Sequence, residues 1–312
     1  MNKNLEKLLI GIRKNVSLEN YNTFKIGGKA QYFFIAKSKN ELVSAILIAK
    51  KLKLPFFILG NGSNLLVSDR GFKGLVIKIQ NSKFKIQNEN SKFKINCDAG
   101  VLLSKLVSES LRNCASGLEW VVGIPGTLGG AIFGNAGAFG KSMGDNIEEV
   151  EVFDTEDLRF KIYDLRKCRF SYRESIFKRN KNLIIISAEI KLRKGNKKEI
   201  RDKIKEYLDY RKKNQPLNFS SIGSIFKNPL PAQVSKKFMA GRGFSAGYLI
   251  EKCGLKGKRI GNVKICEKHA NFIVNLGKGK ARDVVKSINL IKKRVMEKFG
   301  ITLEEEIVYL GF

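Results

Sequence analysis

The chain has 312 residues, enough for two or three domains with real cores. One histidine and five scattered cysteines, with no Cys-x-x-Cys pair, give no basis for a zinc site, so no metal is expected. No run reaches the roughly 18 apolar residues of a membrane span, and the N-terminal stretch MNKNLEKLLIGIRKN is too weakly apolar for a secretory leader. Unpaired cysteines then read as a reduced, cytoplasmic compartment. The charge is lopsided, with 59 Lys and Arg against 29 Asp and Glu, a net +30. The basic residues are spread along the chain, and Asn and Ile are abundant beside Lys. This pattern reads as codon bias toward A/T rather than a nucleic-acid-binding stripe, although the surplus can steer phosphate-bearing substrates.

In chain order, residues 3–13 predict a short helix and Gln31–Ala36 a strand. Ser38-Lys39-Asn40-Glu41 has the capping-box form and opens a helix running to about Lys53. A strand at 56–59 leads into a loop at Gly60, and Leu75–Ile79 is the next strand. This β-α-β order implies a small mixed or parallel sheet. The run NSKFKIQN (81–88) recurs as NSKFKIN (90–96), with Phe84, Ile86, Phe93 and Ile95 alternating with polar residues. It predicts a hairpin turning at Asn88-Glu89-Asn90. Val101–Asn113 has helical spacing through Leu102, Leu103, Leu106 and Val107. Ile147–Asp154, Leu158–Tyr163 and Leu183–Leu192 predict strands, and Lys197–Lys213 a helix ended by Gln215-Pro216. The last hundred residues carry two helical patterns and three short strands. Val284, Ile288, Ile291 and Val295 form the core stripe of the second helix.

The most distinctive stretch is GIPGTLGGAIFGNAGAFG at 123–140, in which seven of eighteen residues are glycine. Such a segment gains little from side-chain burial and loses much backbone entropy on folding. Close approach of bare N–H groups to phosphate is the usual reason to accept that cost. A second glycine turn, Gly60-Asn61-Gly62-Ser63-Asn64, follows the strand at 56–59. Two such loops suggest a ligand carrying a pyrophosphate. Neither matches G-x-G-x-x-G or the Walker form.

Three further segments hold groups able to do chemistry: Phe170-Ser171-Tyr172-Arg173-Glu174-Ser175, Gly223-Ser224-Ile225-Phe226-Lys227-Asn228-Pro229, and the C-terminal strand expected over 304–309. Each alone is unremarkable. In this order with the glycine loops, they resemble the UDP-N-acetylenolpyruvoylglucosamine reductase family. The matching stretches are YNTFKIGG (21–28), LGNGSNLLVSD (59–69), GLEWVVGIPGTLGGAIFGNAGAFG (117–140), FSYRESIFK (170–178), GSIFKNP (223–229), AGYLIEKCGLKGKRIG (246–261) and EKHANFIVN (267–275). About fifty residues separate Arg173 from Ser224. That resembles the family's shorter second form, which lacks the tyrosine loop.

The resemblance implies an α+β fold. A bipartite FAD-binding region of the vanillyl-alcohol-oxidase type would occupy 1–74 and 75–213, and a smaller α+β substrate domain 214–312. It implies non-covalent FAD, NADPH as co-substrate, and a UDP-sugar enolpyruvyl ether as the group reduced. A monomer without nucleic-acid or membrane partners is expected. Arg173 would bind the substrate carboxylate, Glu306 would work protonated, and Ser224 would donate the proton, helped by Lys227 or an ordered water. The FAD residues implied are Thr23, Gly60, Asn61, Gly62, Ser63, Asn64, Gly123, Ile124, Pro125, Gly126, Thr127, Gly129, Gly130, Asn135 and Gly137. Tyr172, Lys227, Asn228 and His269 would touch the substrate. Residues 230–245 form a longer insert than the family usually has, and Val308 replaces a frequent arginine. Two other readings compete: a covalent-flavin oxidase, for which the loops lack a linking His or Cys, and a basic nucleic-acid binder.

Overall fold

A computed structural model describes residues 2–89, 92–230 and 244–312. Most of the insert at 230–245, and Asn90 of the expected hairpin turn, lie outside the described residues. The chain opens with α1 (Asn2–Leu8) and β1 (Arg13–Ser17). The single helix predicted over 3–13 is shorter than expected. The Ile12 N–H closes a turn on the Leu9 carbonyl, and the following residues leave as a strand. Next come β2 (Lys29–Ala36), α2 (Lys39–Lys51), β3 (Phe56–Leu59), β4 (Leu65–Val67) and β5 (Phe72–Ile79). Ser38 caps α2 by accepting the Glu41 N–H at 3.1 Å, while the Glu41 carboxylate accepts the Lys37 N–H. The β6 (Phe84–Glu89) and β7 (Lys92–Asp98) pair is antiparallel, with Ile86 opposite Ile95, as the duplicated sequence predicts.

The middle of the chain holds α3 (Leu103–Arg112), β8 (Ala115–Ser116), α4 (Leu128–Phe133), β9 (Gly137–Ala138) and β10 (Lys141–Ser142). Leu102 precedes α3 and is exposed, so Leu103, Leu106 and Val107 supply its buried face. Then follow β11 (Ile147–Asp154), β12 (Arg159–Asp164), α5 (Leu165–Cys168), α6 (Ile176–Arg179), β13 (Leu183–Lys194) and α7 (Lys197–Asn214). The last third holds α8 (Ala246–Lys252), β14 (Arg259–Ile260), β15 (Val263–Ile265), β16 (Ile273–Asn275), α9 (Ala281–Phe299) and β17 (Val308–Leu310). The expected C-terminal strand is therefore shorter than 304–309. Among the described residues no helix is long and apolar enough to cross a membrane.

Two units share these elements. One comprises Met1–Asn15, Tyr32–Asn61 and Gly74–Tyr210; the other comprises Val16–Gln31, Gly62–Lys73 and Arg211–Phe312. The chain passes between them within β1, β2, β5 and α7, and once in the glycine turn between Asn61 and Gly62. A four-stranded sheet has the order β1-β2-β5-β3, with β3 and β5 parallel. The larger sheet of the first unit runs β12-β11-β13-β7-β6. That unit's core gathers Leu75, Ile77, Ile95, Leu106, Val150 and Ile190. The second unit has its own core, in which Val284, Ile288, Ile291 and Val295 of α9 meet Ile225, Phe226 and Ile250.

The long helix α9 begins on a remote cap. Lys280, at its N-cap position, provides no side-chain cap, and the Asp69 carboxylate instead accepts the N–H groups of Ala281 at 2.8 Å and Arg282 at 3.0 Å. A carboxylate satisfies two orphan donors there and suits the positive end of the helix dipole. Asp69→Ala should lower unfolding free energy by about 1–2 kcal/mol in denaturant titration. Asp69→Asn should lose less, because an amide oxygen still accepts. Equal losses for the two variants would contradict this capping role.

Candidate active site

Gly60 and Asn61, at the start of one glycine-rich loop, meet the other glycine-rich loop in the first unit. A Cβ on Gly60 would lie 2.6 Å from Thr127 Oγ1, so a larger residue there would have to displace the Thr127 side chain. Asn61 fixes the contact by donating from Nδ2 to the Pro125 carbonyl at 2.7 Å. Thr127 itself caps α4 through the Gly130 N–H. Among the described residues, the backbone N–H groups of Asn61, Gly62 and Ser63 donate to no protein acceptor. Adjacent free backbone donors in a turn are the set a pyrophosphate accepts, so this loop fits the expected FAD. Behind it stands Lys78 of β5, whose Nζ donates to the Gly60 carbonyl at 2.8 Å. Burial pushes this ammonium below the usual lysine range.

Arg173, in the same unit, sits in a strained two-residue loop. Ser171 and Glu174 exchange both backbone hydrogen bonds at 3.1 Å, leaving Tyr172 and Arg173 at the tip. Arg173 has φ +58°, a region that disfavours residues with a Cβ. Its Nη2 donates to the Gly137 carbonyl at 2.9 Å, and a Cβ on Gly137 would come within 3.0 Å of Nη1. Asn135 Nδ2 holds the Ser171 carbonyl at 2.8 Å, and the buried Ser175 hydroxyl donates to the Phe133 carbonyl at 2.7 Å. Lys178 reaches back to the Arg173 carbonyl at 3.0 Å and pairs with Glu174. The stretch around 133–137 thus builds the seat for this loop. Asn135 and Gly137, expected as flavin residues, touch it directly.

Ser224 and Glu306 lie in the second unit, on two extended segments that pair antiparallel through Phe226 and Glu305. The Glu306 N–H donates to the Ile225 carbonyl at 2.8 Å, and the Lys227 N–H to the Glu304 carbonyl at 2.9 Å. On the other side the buried Asn271 grips the same segment. Its backbone carbonyl accepts the Ile225 N–H, its Oδ1 accepts the Phe226 N–H at 3.0 Å, and its Nδ2 donates to the Phe226 carbonyl at 2.8 Å. The three neighbouring glutamates have different settings. Glu304 is exposed and lies 3.3 Å from the Lys227 ammonium. Glu305 binds Lys292 and the Tyr309 hydroxyl. Glu306 is half-buried and is held through its backbone.

Several expected contact residues also act as braces. The Thr23 hydroxyl donates to the Ser221 carbonyl at 2.7 Å, and the Asn228 Oδ1 accepts the Ala246 N–H at the start of α8. Asn64, expected at the flavin, donates from Nδ2 to the Glu306 carbonyl at 3.0 Å. His269 packs on Gly247 and Phe272, and its Nδ1 accepts the Asn271 N–H, which places the neutral ring's proton on Nε2. Burial pushes its pKa below the usual histidine value, so the neutral form prevails. Tyr172 is exposed at the loop tip beside the Arg173 guanidinium. Sequence reasoning missed Lys78 and Asn271. Each serves a backbone carbonyl or amide brought close only by folding; Asn271 lies within the matching stretch EKHANFIVN, while nothing in the local pattern marks Lys78. Among the described residues no cluster of His, Cys, Asp and Glu could hold a metal ion.

The loop geometry separates strain from chemistry at Arg173. Glycine accepts this φ without the cost a Cβ brings. Arg173→Gly should therefore unfold at higher denaturant than Arg173→Ala, by about 1 kcal/mol. Equal stability of the two variants would show that the loop relaxes and holds no strain.

Known proteins resemble this chain over nearly its whole length. A family model described as UDP-N-acetylenolpyruvoylglucosamine reductase, C-terminal domain, matches residues 215–310, and one described as FAD binding domain matches residues 30–157. A UDP-N-acetylenolpyruvoylglucosamine reductase of Caldanaerobacter subterraneus subsp. tengcongensis is 42% identical over 297 residues, covering 95% of this chain and 93% of the relative. One from Caldicellulosiruptor saccharolyticus is 42% identical over 313 residues, covering 99% and 95%. The crystal structure of UDP-N-acetylenolpyruvylglucosamine reductase from Thermus caldophilus superposes with a TM-score of 0.78 at 35% identity, covering 96% of this chain and 99% of that one. The chain belongs to the UDP-N-acetylenolpyruvoylglucosamine reductase family.

Proposed function

We propose that Arg173, Ser224 and Glu306 carry the family's reaction in this chain. The reaction is the NADPH-dependent reduction of UDP-N-acetylglucosamine-enolpyruvate to UDP-N-acetylmuramate, a step of peptidoglycan precursor synthesis. Bound FAD supplies the hydride carrier between NADPH and the vinyl carbon. The loops at 60–63 and 123–130 hold it without a covalent link, since they contain neither His nor Cys. We assign flavin binding to 1–74 and 75–213 and the sugar substrate to 214–312. Tyr172, Lys227, Asn228 and His269 are taken as substrate contacts, and the chain is taken to work as a cytoplasmic monomer.

Hydride arrival at the vinyl carbon leaves negative charge on the carbon beside the carboxylate, delocalised into that carboxylate. Arg173 binds the carboxylate and stabilises the dianion. What supports this role is the way its loop holds the guanidinium, with Nη2 on the Gly137 carbonyl and a left-handed backbone that its neighbours fix. Glu306, protonated, donates a hydrogen bond to the same charge. Ser224 delivers the proton to the carbon beside the carboxylate. The observation that carries the reading is the pairing of 225–227 with 304–306. It supports the reading because it ties the backbone that follows Ser224 to that of Glu306.

Rapid-mixing kinetics of the two half-reactions tests these roles. In Arg173→Ala and Glu306→Gln, flavin reduction by NADPH should stay near the parent rate. Reoxidation by the enolpyruvyl sugar should slow at least about a hundredfold. Ser224→Ala should show the same asymmetry, with Ser224→Cys retaining more rate because a thiol can donate. Glu304→Gln, on the exposed neighbour, should be mild. Equal slowing of both half-reactions would point to damaged flavin binding and sink the assignment.

A further inference from the structure

Asn64 ends the glycine loop that follows β3, and its side chain is turned to the C-terminal segment. Its Nδ2 donates to the Glu306 carbonyl at 3.0 Å, and its own carbonyl accepts the Val308 N–H at 2.9 Å. The pairing of β4 with β17 starts only at Leu65 and Val308. Glu306 lies two residues before that ladder begins, so the ladder does not fix its backbone. The Asn64 amide makes the missing bond in the ladder's place. With the Glu306 N–H on the Ile225 carbonyl, the peptide groups on both sides of the Glu306 Cα are then held.

We propose that Asn64 is a positioning residue for Glu306, acting on the acid's backbone rather than as a flavin ligand. The proposal rests on the reading of Glu306 as the acid that meets the substrate. The residue type follows from the chemistry. The acceptor is a carbonyl oxygen, so the group must be an N–H donor on a short arm. Aspartate has nearly the same shape and would set a carboxylate against that carbonyl with no proton between them. Loss of the donor removes the Asn64 hold on the Glu306 carbonyl, and a misplacement of about 1 Å at a reacting group costs up to about a hundredfold in rate.

The test uses the FAD-loaded full chain carrying Asn64→Ala, Asn64→Asp, Glu306→Gln, and Asn64→Ala combined with Glu306→Gln. Flavin release is followed by its fluorescence, and both half-reactions are followed by the visible absorption of the oxidised flavin. FAD retention and reduction by NADPH should stay within about twofold of the parent. Reoxidation by UDP-N-acetylglucosamine-enolpyruvate should slow at least about tenfold in limiting rate, with the half-saturating concentration little changed. In the Glu306→Gln background, Asn64→Ala should add less than about twofold, since a residue acting through Glu306 has nothing left to position. If Asn64→Ala does not fold, Asn64→Asp gives the same reading with the side-chain shape kept. Loss of FAD, or a slowed NADPH step, makes Asn64 a cofactor residue and overturns the proposal. Full multiplication of the two single effects shows an independent role and also overturns it. A parent-like rate in Glu306→Gln alone refutes the role of Glu306 itself, and the proposal falls with it.

Discussion

Everything in the second unit that could act on a substrate depends on how the backbone at 225–227 is held. Ile225 and Phe226 are buried, so their peptide groups must be satisfied inside the protein. Asn271 meets them from one side with its main chain and both ends of its amide, and 304–306 meets them from the other. An unpaired buried peptide group costs about 1–3 kcal/mol, so either partner's departure strands several such groups at once. The segment therefore has one well-defined position. Ser224 stands at its start and Lys227 at its end, and Glu306 is tied to it through Ile225.

The first unit follows the same logic with strain added. Arg173 occupies a left-handed backbone position, and its surroundings over-determine it: Asn135 on Ser171, Ser175 on Phe133, Lys178 on its own carbonyl and Gly137 on its guanidinium. This explains why the glycine-rich stretch runs well past its phosphate-suited start. Its first half meets Gly60 and Asn61, while its second half supports the arginine loop. One segment thus braces both the Gly60 turn and the arginine loop.

Elements fixed by local pattern were legible in the sequence. Ser38 and Glu41 predict the start of α2, the alternation in the duplicated run predicts β6 and β7, and the apolar stripe at Val284, Ile288, Ile291 and Val295 predicts α9. Arg173, Ser224 and Glu306 stand out only through motif order, because each residue alone looks ordinary. What the sequence could not show depends on remote partners. The short strand β4 exists because β17 pairs with it, from more than two hundred residues away in the chain. Asp69 caps a helix equally distant, and Asn64, Lys78 and Asn271 each serve a backbone group that only the folded chain brings near. The assembly of each unit from three separated stretches has the same origin. No local periodicity records which distant segments share a core.

The central claim is that this chain moves a hydride from NADPH to the vinyl carbon and a separate proton to the carbon beside the carboxylate. The most direct measurement is a single anaerobic turnover in deuterated water. The flavin is first reduced by NADPH, then mixed with UDP-N-acetylglucosamine-enolpyruvate, and the product is read by NMR. The expected result is return of the oxidised flavin spectrum and UDP-N-acetylmuramate carrying deuterium at the carbon beside the carboxylate. Reduced flavin that persists in the presence of the enolpyruvyl sugar, or product without deuterium at that carbon, would contradict it.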